Sequence, residues 1–380
     1  MLAGTDTSAW LVFWVVVAAR FLIPLTIPRY PLPGILASLI LDAVDQTIFQ
    51  QFPSINLDGY QGYDKALDIY YLTIAYLSTF CNWENRFAFH VSRFLFYWRL
   101  VGVVLFELTQ LRILLLIFPN TFEYFFIFYE AYCLRWDPKH MSRKLLIGAA
   151  VFIWVVIKLP QEYWIHIAQT DTTDWIKTSI FNVSADTSWG FIFQTWPGIC
   201  IGVIVVLALF LVAAVLLARR RLPPPDHTLS FSADAHKATF TTEEVRAAMD
   251  SEARQIVDAP LVEKIILITL VSLIFAQVLP GVQATNLQLA VGVAVVVIIN
   301  TVLSHWMARR GFGWAFSLGQ FIVLAVANFI VLQGYTFLQS MFAHPVRFTN
   351  SLFFVLLISL LVTLFDHYRQ IYLICNEADD

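Results

Sequence analysis

Carboxylates and bases stand in this chain where an apolar segment should carry none. Between Ile35 and Phe52, Asp42 and Asp45 lie three residues apart, and helical spacing predicts that Ser38, Gln46 and Gln50 share their face. Asp64 and Asp68 open the next apolar segment, with Asp58 in the short connection. Spacings of i,i+3 and i,i+4 turn each pair to one side of its helix, and the short loop makes the two helices antiparallel neighbours. Such a set offers oxygen ligands to a hard divalent cation, Mg or Ca, at Asp42, Asp45, Asp64 and Asp68. Alternatively it holds protons, because crowded like charges favour the neutral form. The plain alternative leaves Asp64 and Asp68 solvated at the membrane interface. It suits Asp42 and Asp45 less well, since a charge at the bilayer centre costs about 2.5–3.5 kcal/mol.

A second constellation is "KLPQEYWIH", in which Lys158, Glu162 and His166 follow one another at i+4 steps. Pro160 removes a backbone donor and is expected to bend the helix. Freed carbonyls at membrane depth are tolerated where they line a cavity. The run therefore reads as a gate, or as a site for an anionic or carbonyl group. In an enzyme, Lys158 would steady a phosphate and Glu162 or His166 would act as base. A structural Lys158–Glu162 pair, or a snorkelling lysine, is the plain alternative.

The third is the stripe Arg86, His90, Arg93, continued by Tyr97. It is expected to anchor in lipid headgroups, to neutralise Glu123 and Glu130, or to bind phosphate. His90 is the member that titrates near neutral pH. Glu107 lies toward the far end of the same segment, and Asn120, Glu123 and Glu130 fall together on the next one.

The elements that must position these residues are membrane helices. The chain has 380 residues, 59% hydrophobic and only 13% charged, about half the charge of soluble domains. Runs such as "WLVFWVVVAARFLIPLTI" and "LQLAVGVAVVVIINTVL" are long enough to cross roughly 30 Å of hydrocarbon. They do not alternate as barrel strands would. The expected fold is all-α, a polytopic transmembrane bundle of about eleven spans. These spans are 10–27, 35–52, 66–82, 87–109, 112–134, 145–168, 191–218, 261–279, 286–308, 314–342 and 348–371. Basic loops "LRWDPKHMSRK", "LARRRLPPP" and "MARRGFG" share one side if odd-numbered spans run inward. The N-terminus is then outside and the C-terminus cytoplasmic.

Residues 1–190 form a charged, aromatic-rich bundle with an outer surface loop, and 191–218 a seventh span. Residues 219–260 are a cytoplasmic linker that opens on three prolines and holds an amphipathic helix over 241–257, introduced by a capping box at Thr241 and Glu244. Residues 261–380 form an aliphatic bundle whose interior carries amides (Gln277, Asn300, Gln320, Asn328) and no carboxylate or base well inside the segments. The four cysteines show no CxxC spacing, which predicts neither disulfide nor structural zinc.

Five consecutive N-terminal spans each carry one polar stripe, so a polar, acid-lined cavity is expected there. This favours a transporter or ion-conducting protein, proton- or cation-coupled, integral to the cell or plasma membrane. A membrane enzyme acting on a lipid- or polyprenyl-phosphate-linked substrate through a carboxylate–metal site at the outer leaflet is the first alternative. A non-catalytic scaffold subunit is the second. The partners implied are membrane lipids and a small solute, ion or lipid-linked substrate. A further copy or partner is expected on 261–371 or the 241–257 helix. No basic run of nucleic-acid type appears, and no Walker, HExxH, GxSxG or GxGxxG motif is present.

Overall fold

The computed structural model describes residues 7–50, 52, 60–168, 172–185, 187–221, 224–233, 259–279, 285–309, 317–340 and 348–377. Among them helices account for all regular structure and no strand occurs. The expected amphipathic helix over 241–257, and Asp58, lie outside the described residues.

Helix α1 (Thr7–Leu22) runs through a 3-10 turn into α2 (Pro31–Gln50). Gly34 makes this corner possible, because a Cβ there would meet the Ile27 backbone at 2.8 Å. Helices α3 (Tyr60–Asn82) and α4 (Arg86–Thr109) form a hairpin. Asn85 caps α4 by accepting from the Ala88 N–H at 3.1 Å. Gln110 ends it in the left-handed conformation, φ 58°. The next segment is broken into α5 (Ile113–Ile117) and α6 (Thr121–Cys133) around Pro119.

Ser142 caps α7 (Arg143–Phe152). The chain continues through a π-helical stretch Ile153–Lys158, the single turn α8 (Leu159–Glu162), and a second π stretch Tyr163–Ile167. Beyond α9 (Thr172–Trp175), α10 (Trp189–Thr195) meets α11 (Pro197–Arg221) at a bend of 100°. The C-terminal helices are α12 (Ala259–Val278), α13 (Asn286–Arg309), α14 (Ser317–Ser340) and α15 (Phe348–Glu377).

Among the described residues, seven helical segments are long and apolar enough to cross a membrane, or eight if α10 and α11 make one span. Helices α3 and α4 have the length but not the apolarity. The reason is position. Helix α3 is enclosed by α1, α2, α4, α6, α12 and α15, and it is buried almost continuously from Ala66 to Phe80. An enclosed helix carries polar groups if they are satisfied at home. Thr73, Ser78 and Thr79 do so by donating to carbonyls three or four residues back.

One hydrophobic core runs through both halves of the chain. Phe80 of α3 packs edge-on against Phe365 of α15, and Phe21 against Phe275 and Phe353. Charge also enters the C-terminal half, near the ends of its segments. Glu263 and Lys264 are buried. Glu263 receives Arg93 at 2.8 Å and the Tyr76 hydroxyl at 2.5 Å, and Lys264 pairs with Asp366. Both α12 residues lie in the second turn, and there they meet α4 and α15 rather than water.

Loops also sort by end. The Asp226 N–H donates to the Arg135 carbonyl, and the Ala233 N–H to that of Arg29. Asn85 reaches the Pro138 carbonyl and Asn82 that of Pro28. The connections near 28–30, 82–86, 135–142 and 224–233 thus gather at one end of the bundle.

Candidate functional site

The carboxylates of α2 and α3 converge on a residue from α1. Arg20 is buried and directs its guanidinium into the acidic set. One terminal nitrogen bonds Asp45 and the other Asp42, while Asp64 and Asp68 lie at 3.5 and 3.4 Å. The planar fork suits this task, since it presents donors in several fixed directions. The Tyr63 ring lies 5.9 Å from the guanidinium carbon. Lys65 adds an ammonium 3.3 Å from Asp64.

Asp42, Asp64 and Asp68 each offer an oxygen within 4.8 Å of the others, a spacing that admits one hard cation among them. Asp45 is fully enclosed and turned to Arg20. Gln46 is not part of the site, nor is Gln50: both are exposed. The inward face of α2 follows Ile35, Ser38, Asp45 and Phe49, all buried, with Asp42 between. Gln46 stands one residue, about 100° of helix, beyond Asp45.

Arg20 and Arg99 are buried bases that the sequence reading did not single out. Arg20 was visible as the one base inside the first apolar run. The cost of burying it was itself the signal that a carboxylate partner must exist.

A second cluster forms where the segment 113–133 is broken. Pro119 interrupts the helix, and the backbone groups it frees find side chains. The Phe118 carbonyl accepts from Arg99 at 3.2 Å, the Ile117 carbonyl from Trp98 at 3.1 Å, and the Asn120 N–H donates to Glu162 at 3.1 Å. Glu162 thereby sits at the N-terminus of α6, where the helix dipole favours an anion. It also receives His166 at 3.0 Å and faces Arg99 at 3.6 Å.

Lys158 does not pair with Glu162, as the i,i+4 spacing suggested. Its partner is Glu123 at 3.5 Å, and its ammonium lies 3.8 Å from the centre of the Tyr124 ring. Glu123 further accepts from Asn120 at 2.8 Å and from the Tyr71 hydroxyl at 2.9 Å.

The π stretches explain how Lys158, Glu162 and His166 all face inward and are buried. A strict i+4 series drifts about 40° per step on an α-helix. The wider π turns wind it back. The expected bend at Pro160 is therefore accommodated by widening, and the chain break falls at Pro119 instead.

Tyr71 joins the two clusters. It lies one turn after Asp68 on α3 and ends on Glu123. Lys65 is an electrostatic neighbour of Arg99, Glu162 and Glu107 as well as of Asp64. Glu107 itself is buried, and its Oε1 has no hydrogen-bond partner among the described residues.

The stripe on α4 has other partners than Glu123 and Glu130. Arg93 bonds Glu263. Glu130 is buried and accepts from the Trp83 indole at 2.6 Å. Arg86 and His90 are exposed. No protein-family model, curated protein or solved structure matches the chain.

Proposed function

We infer that the chain is an ion-coupled transporter or ion-conducting membrane protein, and that Asp42, Asp64 and Asp68 take up the coupling proton or cation. One observation carries this reading. Asp42, Asp64 and Asp68 bring carboxylate oxygens within 4.8 Å of one another beside a single guanidinium that also serves Asp45. Like charges crowded in a low-dielectric interior repel. Protons on these carboxyls, or one hard cation among their oxygens, relieve that repulsion. Either is exchangeable, and each exchange changes what Arg20 is bonded to.

The broken segment at Pro119 supports the same reading. Interrupted helices with backbone and charge converging at mid-membrane are how transporters commonly build solute sites. Lys158, Glu162 and Arg99 would bind or gate an anionic or carbonyl group there. Tyr71 would link that site to the acidic one. The basic residues near 135–143 and at the end of α11 (Arg219, Arg220, Arg221) favour a cytoplasmic location for the gathered loop end. On that orientation, with about eleven spans and the α3–α4 hairpin crossing inside the bundle, the acidic cluster lies toward the outer side.

The test is ion flux in proteoliposomes under an imposed potential, with a trapped pH dye for protons and tracers for sodium and calcium. The wild-type chain should carry one of these. Asp42→Asn and Asp68→Asn should fall to the level of empty liposomes, and Gln46→Ala, outside the site, should not. Wild-type flux in Asp68→Asn removes the reading.

A second reading rests on the mutual pairing of Lys158 with Glu123 and of Arg99 and His166 with Glu162. Pairs of this kind also serve a rigid scaffold. A stable wild-type protein that moves no ion above empty liposomes would favour it.

A further inference from the structure

We propose that the C-terminal helices hold a second binding site, for a small uncharged molecule that both donates and accepts hydrogen bonds (a hydroxyl or carboxamide compound), between Asn300 of α13, Asn328 of α14 and the Lys264–Asp366 pair. The inference does not rest on the ion-coupling reading.

The packing leaves a seam there. Helix α13 lies close along α12, and α14 along α15, while α13 touches α14 and α15 only sparingly. Polar bonds tie the helices beside and across this seam. Lys264 donates to Thr301 at 3.1 Å and to Asp366. Gln320 donates to Ser304 at 3.4 Å, and Asn328 to Ser359 at 2.8 Å. Helical spacing puts Asn300 and Ser304 on one face of α13, and Ser359 and Asp366 on one face of α15.

These bonds leave polar atoms over. Asn300 is fully enclosed, and neither its amide oxygen nor its amide nitrogen has a hydrogen-bond partner among the described residues. The same holds for Gln320 Oε1, Asn328 Oδ1 and Asp366 Oδ2. Amides are common between membrane helices as interhelical glue. Asn328 fits that role through one of its atoms, but Asn300 fits it through neither. An enclosed polar group is costly unless something meets it.

Chemistry identifies the occupant. Lys264 and Asp366 are each other's counterion, so neither presents a free charge to an ion. An amide carries no charge and offers donor and acceptor together. Asn300 presents both, and Asn328 and Asp366 add acceptors. The complementary molecule is uncharged, with an O–H or N–H to give and an oxygen to receive. Leu324, fully enclosed between Gln320 and Asn328 on the same face of α14, keeps it small. Lys264 and Gln320 lie near the starts of their helices and Ser304 near the end of α13, so entry is from that end of the bundle.

Thiol labelling of the full chain in detergent tests this, read by peptide mass spectrometry so that the native cysteines remain. Ser359→Cys is nearly isosteric and stands beside Asn328. The thiolate is the reactive form, and a thiol in dry apolar surroundings is inert. Hydroxyethyl methanethiosulfonate, small and uncharged, should modify Ser359→Cys severalfold faster than Ser92→Cys, an equally enclosed serine of α4. Molar glycerol should slow the reaction of Ser359→Cys severalfold and leave that of Thr109→Cys, at an exposed position, unchanged. Asn300→Cys, from the other side of the seam, should repeat both results. Equal rates for Ser359→Cys and Ser92→Cys overturn the proposal. So does a rate that glycerol leaves untouched, which would mean that water alone fills the seam. Faster labelling by the trimethylammonium reagent than by the hydroxyethyl one overturns the uncharged class.

Discussion

The Arg20 guanidinium donates to the Asp45 carboxylate with both groups enclosed by protein. Asp45, fully enclosed, depends on that guanidinium for its charge. Arg20 also touches Asp42, Asp64 and Asp68, so its removal leaves four acids facing one another. Arg20→Met should destabilise the protein by about 3–5 kcal/mol, the usual cost of breaking a buried pair from one side. Asp45→Asn, which leaves Arg20 three carboxylates, should cost clearly less. Thermal unfolding in detergent reads both. Equal losses would mean that Arg20 serves Asp45 alone.

Glu162 tests the second cluster. It accepts the Asn120 N–H freed by the Pro119 break and faces Arg99 and His166. Glu162→Gln should leave Arg99 without a carboxylate and lower stability by about 3 kcal/mol. Arg99→Met alone should do similar damage. The two together should be less harmful than their sum, with a coupling of about 1–3 kcal/mol. Additive losses would show that the 3.6 Å approach carries no energy.

Much of this was legible in the residues, and the boundary of legibility has physical causes. The stripes on α2, α3 and the Lys158–His166 run were readable because intramembrane charge is costly and helical spacing turns it to one face. Tertiary partners were not readable. Lys158 and Glu162 at i,i+4 looked like a pair, yet each found a better partner on another helix, Glu123 and Arg99. Pro160 looked like the break, but π turns absorbed it. Pro119, followed by Asn120, made the break instead. Glu263 and Lys264 sat too near a helix start to be read as interior. Only the packing of α12 on α3 and α4 buries them.

Gly102 fixes the α4–α5 corner by steric exclusion. A Cβ built there would overlap the Phe118 side chain, and the same Phe118 carries the carbonyl that accepts Arg99. Gly102→Ala should therefore cost about 1–3 kcal/mol by overpacking. Phe118→Ala should lose about 3–5 kcal/mol, less where the site collapses. The Gly102 penalty should persist in the Phe118→Ala background, because alanine keeps the Cβ that the new methyl meets first, and should vanish in Phe118→Gly. A penalty that persists in Phe118→Gly would place the obstruction elsewhere.

Asp226 ties the linker to the loop before α7. Its carboxylate accepts the Asp137 N–H at 2.9 Å and faces His140 at 3.5 Å, while its own N–H holds the Arg135 carbonyl. The bond from the Asp137 N–H, with smaller help from His140, holds the Asp226 carboxyl below its usual range. A carboxylate with a depressed pKa contributes stability that is present above its unfolded value of about 3.9 and lost as pH falls through the folded one. The tether should thus be intact at pH 7 and loosen only in acid, below about pH 4. Because the group is exposed, global stability should hardly change. The local opening should be visible instead as faster proteolysis near 222–233. Asp226→Asn should raise that cleavage rate severalfold at pH 7, and acidified wild type should show the same increase by hydrogen exchange at the Asp137 amide. A variant that keeps the wild-type cleavage rate would show that the three backbone bonds, Asp226 and His227 to Arg135 and Ala233 to Arg29, hold the linker without the carboxylate.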